Sequence, residues 1–188
     1  MTRYALLLRG VNVSGANIVK MADFRAFLTG LGLENVETYI QSGNAVFGSA
    51  LPKGAIHKLV SEAFPARFGF APKMMIVTGQ ELAEAIDGNP FTGPAIDPAR
   101  LHLGFMAEEP AKSALEKIAA KPRDREEYQI AGRVFYLHSP DGVGKSKFFE
   151  GLERMLKVPV TFRNWRTVLA LGEMVGLLEM AVPLAGKN

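Results

Sequence analysis

Apolar and polar positions follow two periods along the chain, and the changes of period mark out its elements. Tyr4–Arg9 is a short apolar run that reads as a buried first strand. A loop rich in Gly and Asn runs from Gly10 to about Val19, after which Met21, Phe24, Leu28 and Leu31 fall on one face of a helix. Gly32 suits a left-handed cap, with Leu33 folding back on the helix end. Val36–Gln41 and Ala45–Gly48 flank the turn Ser42-Gly43-Asn44 and read as a hairpin. A second helix is predicted from about Lys53 to Phe64, with Ile56, Leu59, Val60 and Ala63 inward and Pro65 ending or kinking it. Lys73–Val77 is a fourth strand, and Thr78-Gly79-Gln80-Glu81 has the spacing of a capping box opening a helix to about Asp87.

Asn89 to Pro98, with Pro90, Gly93 and Pro94 between them, has the composition of a linker. Beyond it the series of elements recurs. Leu101–Met106 is a strand, and Pro110 suits the first position of a helix carrying Leu115, Ile118 and Ala119. Glu126–Ile130 and Arg133–Leu137 flank Ala131-Gly132 as a second hairpin. A helix from about Ser146 to Leu156, a strand Val158–Phe162 and a helix from about Trp165 to Leu178 complete the chain. At a constant offset of 89, Tyr39, Gly43, Val46 and Phe47 fall on Tyr128, Gly132, Phe135 and Tyr136. The order strand–helix–strand–strand–helix–strand is the ferredoxin-like pattern. The fold class expected is therefore α+β, with two tandem ferredoxin-like units (residues 1–90 and 99–188, linker 91–98), each carrying an extra C-terminal helix.

Composition narrows the chemistry. The chain has no cysteine, which excludes a disulfide framework, thiolate zinc sites and a cysteine nucleophile. It has no apolar run long enough to span a membrane and no signal-peptide pattern at its N-terminus, so a cytoplasmic protein without membrane association is expected. The net charge of +3 is spread evenly, with 8 basic and 7 acidic residues in positions 1–94 and 14 and 12 in positions 95–188. No basic stripe of the kind nucleic-acid binders carry stands out. His57, His102 and His138 lack metal-ligand spacing, no catalytic constellation assembles, and neither a cofactor nor a metal is expected.

Several short motifs together resemble a known family. Leu7-Leu8-Arg9-Gly10-Val11-Asn12-Val13, Met21 at the first helix, and Thr38-Tyr39-Ile40-Gln41-Ser42-Gly43-Asn44 are similar to the bacterial family called domain of unknown function 1697. So are Asn89-Pro90-Phe91, Ser146-Lys147, and Arg163-Asn164-Trp165 with Thr167. The resemblance spans nearly the whole chain and implies two ferredoxin-like domains in tandem, with no activity attached. The chain departs from the family at Ser14-Gly15, where two glycines are usual, and at Ala16, where a basic residue is frequent.

The candidate site residues lie in three places. The loop from Arg9 to Lys20, with Asn12 and Gly15, is long for a strand-to-helix connection, and its amides beside a helix start suit an anion. The plainer reading makes its glycines and asparagines turn formers. Gln41, Ser42 and Asn44 surround Gly43, which a tight turn explains, while Gln41 and Ser42 exceed what the turn needs. Arg163, Asn164 and Trp165 stand at a strand–helix boundary, where Asn164 suits an N-cap and Trp165 heads an apolar stripe with Val168, Leu169 and Gly172. Ser139-Pro140-Asp141-Gly142-Val143-Gly144-Lys145-Ser146 imitates a phosphate loop but lacks its first glycine and an acidic partner strand. Four functions remain open: a binding module for a small anionic or phosphorylated ligand, an RNA or single-stranded nucleic-acid binder, an acylphosphatase-like hydrolase using Arg9 and Asn44, and a structural or protein-partner role.

Overall fold

The protein is described from a computed structural model over residues 1–176. The described residues divide into two compact units: Met1–Ile86 together with residues 169–176, and Asp87–Val168.

The first unit runs β1 (Thr2–Arg9), α1 (Met21–Gly30), β2 (Glu34–Tyr39), β3 (Asn44–Ser49), α2 (Lys53–Phe68), β4 (Lys73–Thr78) and α3 (Gly79–Asp87). Its antiparallel sheet has the order β2-β3-β1-β4, with Leu6 opposite Ala45 and Ile76. Tyr4, Leu6 and Leu8 alternate onto the face covered by the helices, where they meet Phe24, Leu28, Ile56, Val60 and Phe64 in one core. The capping box forms as its spacing requires: Glu81 N–H donates to Thr78 Oγ1 at 3.0 Å and Thr78 N–H to Glu81 Oε2 at 2.9 Å.

The helix expected to stop near Phe64 runs through Pro65; it continues one turn to Phe68 and closes at Gly69. Phe68 reaches the aromatic cluster only from that extra turn, with ring centroids 4.4 Å from Phe64 and 5.4 Å from Phe27. Burying such rings, at ~1.5–3 kcal/mol each, offsets the ~3 kcal/mol that an interior proline costs.

The second unit runs β5 (Leu101–Met106), α4 (Lys112–Ala119), β6 (Glu127–Ala131), β7 (Val134–His138), α5 (Leu152–Leu156) and β8 (Val160–Asn164), and α6 (Trp165–Met174) starts at its end. Its antiparallel sheet has the order β6-β7-β5-β8. Phe135, Leu137 and Met106 pack on Ile118, Phe148, Leu152 and Leu156. Three expectations are corrected here. Pro110 precedes the N-cap Ala111 instead of occupying the first helical position. The helix expected from Ser146 survives only as α5, because Gly151 takes a left-handed φ of 76° that interrupts any longer helix. The last strand starts at Val160, since Pro159 has no N–H to add to a ladder. The hairpins matched at a fixed offset also turn differently: Gly43 ends a four-residue connection between Tyr39 and Asn44, whereas Gly132 starts a two-residue connection between Ala131 and Val134. For the helix expected to reach Leu178, the part beyond Gly176 lies outside the described residues.

Candidate functional site

The β1–α1 loop is built around Asn12. Its backbone is left-handed at φ 54°, which asparagine tolerates, and its N–H donates to the Asn17 carbonyl at 3.1 Å. The side chain is fully employed. Asn12 Nδ2 donates to the carbonyls of Val19 (2.9 Å) and Gln41 (2.7 Å), and Oδ1 accepts from Val19 N–H at 2.8 Å. Asn17, also left-handed, donates to the Gly10 carbonyl at 3.0 Å. One amide therefore ties the loop to its own exit and to the hairpin connection. Ser14 and Gly15 form the exposed tip, both at positive φ. The N–H groups of Ser14, Gly15 and Ile18 donate no hydrogen bond among the described residues.

Arg9 and Lys20 bracket this loop but do not face each other. Strand alternation sends Arg9 to the sheet face away from α1 and α2, opposite Lys73 in register, while Lys20 is the exposed N-cap of α1 on the covered face. In the hairpin connection, Gln41 and Ser42 are exposed and Asn44 is fully buried. Asn44 Nδ2 donates to the Tyr39 carbonyl (3.1 Å) and to Ser42 Oγ (2.8 Å), closing the connection on itself. Gly43 is held between β1 and the loop: a Cβ there would lie 2.7 Å from both Leu8 Cβ and Val11 Cγ2. Asn12 and Asn44 thus spend their amides on holding the loop and the hairpin connection, while Lys20, Gln41 and the loop tip are exposed.

Sequence reading missed an apolar rim on the same loops. Val13, Ile18 and Ile40 are 58%, 58% and 52% exposed. Val13 and Ile18 stand out in hindsight as branched apolar residues within a Gly/Asn loop. Ile40 adopts φ 47°, a conformation β-branched residues avoid, and no sequence signal announces it.

The third candidate place lies in the second unit. Asn164 caps α6 by accepting from Arg166 N–H at 3.0 Å, and its Nδ2 donates to the Ala99 carbonyl at 3.0 Å. Trp165 is half-buried, and the stripe it heads consists of buried Val168, Leu171, Gly172 and Val175, with Leu169 half-buried. Arg163 is 9% exposed and donates to the Phe162 carbonyl at 3.0 Å; desolvation lowers its guanidinium to about 10. The ring atoms His102 Nδ1 and His138 Nδ1 are buried without a hydrogen-bond partner, and burial lowers the pKa of His102. No group of three His, Asp or Glu side chains suited to a metal occurs among the described residues. None of their helices is long and apolar enough to cross a membrane.

A family model described as "Protein of unknown function (DUF1697)" matches residues 1–136. The chain belongs to this family. Among solved structures, the DUF1697 chain is similar to the conserved bacterial protein SP0830 from Streptococcus pneumoniae, at 30% identity and a TM-score of 0.68. That similarity covers 93% of this chain and 98% of SP0830. No curated protein matches the chain. The family match takes in the loop and hairpin of the first unit and stops at Tyr136, before Arg163-Asn164-Trp165.

Proposed function

We propose that this DUF1697 chain is a binding module for a small anionic ligand, held by the β1–α1 loop of the first unit. The observation that carries the reading is the Asn12 brace, which fixes the loop before any ligand arrives. The exposed amides of Ser14, Gly15 and Ile18 and the ammonium of Lys20 then meet an anion with little ordering cost. We also read both units as ferredoxin-like, supported by their shared element order and the strand orders β2-β3-β1-β4 and β6-β7-β5-β8. The hydrolase reading loses its water-positioning group, because Asn44 is buried and bonded within the hairpin connection. The nucleic-acid reading loses a stacking platform in the second sheet, where Phe105 and Tyr136 are 4% and 2% exposed.

The test is amide NMR of the labelled chain titrated with inorganic phosphate and glycerol phosphate against chloride at matched ionic strength. Saturable shifts are expected at Ser14, Gly15 and Ile18, with affinity about fivefold weaker in Lys20→Gln, the equivalent of ~1 kcal/mol for one exposed ion pair. Asn12→Ala should abolish the response by releasing the loop. Shifts identical to those in chloride would refute the reading.

A further inference from the structure

The segment that imitates a phosphate loop makes a concavity of its own in the second unit. A 3-10 turn at Val143–Lys145 and the turns after it curl around a space of about 350 Å³. Half-buried Val143 and Phe149 supply its apolar wall, and Lys145, Ser146, Lys147 and Glu150 its polar one. Hydrogen bonds hold the curl. The Ser146 hydroxyl donates to Glu126 Oε1 at 2.5 Å and accepts from Phe149 N–H at 2.9 Å. Lys121 Nζ donates to the carbonyls of Lys147 (2.7 Å) and Glu150 (2.5 Å). The concavity is therefore preformed, and Ser146 and Glu126 are spent on its shape.

Lys145 and Lys147 are different. Both ammonium-bearing residues are exposed and line the space, and neither forms an ion pair among the described residues. The carboxylate of Glu150 on the same wall offsets one of them, so a dianionic ligand gains more from the pair than a monoanion does. We propose that this concavity binds a small organic phosphate monoester. Its phosphate, at ~−1.5 to −2 charge near neutral pH, lies between Lys145 and Lys147, and its apolar part rests on Phe149 and Val143. A monocarboxylate gains less than a phosphate dianion, and a neutral apolar molecule leaves both cations unanswered. Its lining residues, 143–150, belong to the second unit and follow the residues that the family model matches.

The experiment titrates the labelled full chain with phenyl phosphate, inorganic phosphate and benzyl alcohol, reading amide shifts over residues 143–150. Phenyl phosphate should give saturable shifts there, inorganic phosphate should bind more weakly, and benzyl alcohol should not bind. The double variant Lys145→Gln/Lys147→Gln changes two exposed side chains, so the fold is retained, and it should weaken phenyl phosphate at least about fivefold. Phe149→Leu should weaken phenyl phosphate while leaving inorganic phosphate unchanged. Unsaturable shifts, equal affinity in the double variant, or equal binding of benzyl alcohol would each overturn the proposal. Shifts confined to residues 14–18 would support the first-unit site and reject this one.

Discussion

Replacing Gly43 by alanine tests whether the hairpin connection is as tightly seated as its geometry indicates. Two costs add. The residue sits at φ 75°, where a Cβ costs ~1–2 kcal/mol. That Cβ would also stand 2.7 Å from Leu8 Cβ and from Val11 Cγ2, both on buried residues, and overpacking of this kind costs ~1–3 kcal/mol. The expected loss is ~2–5 kcal/mol. Gly15 provides the matched control, since its φ is 77° and nothing lies within 4 Å of its Cβ position. Gly15→Ala should cost only the conformational part, ~1–2 kcal/mol, reduced by the entropy that alanine removes from the unfolded chain. The assay is urea unfolding followed by far-UV circular dichroism, because the emission of Trp165 reports on the second unit. Losses in the two variants agreeing within ~0.5 kcal/mol would show that Leu8 and Val11 yield freely, and would refute the close seating of the turn on β1.

Two further outcomes follow from the second unit. Asn164→Ala removes the cap bond to Arg166 N–H and the bond to the Ala99 carbonyl, and should cost ~1–3 kcal/mol in urea unfolding followed by Trp165 emission; a loss below ~0.5 kcal/mol would contradict the double role of this amide. His102 has a pKa lowered by burial, the carbonyl of Arg100 opposing the shift, so the folded state binds its proton less readily than the unfolded chain. Its contribution to stability is full above about pH 6.5 and is lost as pH falls from there toward the lowered folded value. Stability measured from pH 7.5 down to pH 5 should therefore fall less steeply in His102→Gln than in the parent, and parallel curves would refute the assignment, the pH limits being about those of the imidazole range.

Where local chemistry suffices, the sequence is legible. The Thr78–Glu81 capping box needs only residues three apart and forms as its spacing requires. The strand Leu101–Met106 and the Asn164 cap were equally readable, being set by apolar patterning and by one side chain's reach. The expectation failed where aromatic packing outweighed local preference and where a glycine took a left-handed backbone. Phe64, Phe68 and Phe27 carry α2 past Pro65, and Gly151 leaves only the last turn of the helix expected from Ser146. In the candidate site, sequence picked out the loop and hairpin but not the tasks of their residues. Asn12 and Asn44 were open to two readings, ligand group or turn former, because an amide's partners cannot be read from its position.

The chain's own patterning determined that it is an α+β protein with two four-stranded sheets, because residues alternating at period two or recurring at helical spacing bury their apolar faces in one way only. Its motifs likewise determined the family to which it belongs. Tertiary structure decided which polar groups are spent on the fold and which face solvent. Asn12 meets Gln41 across 29 positions of sequence, and Ser146 meets Glu126 across 20. Those bonds consume the amide and the hydroxyl, and leave Lys20 in one unit and Lys145 and Lys147 in the other exposed. A hydrogen bond depends on distance and angle in space, so long-range bonds decide what a polar residue has left to offer a ligand.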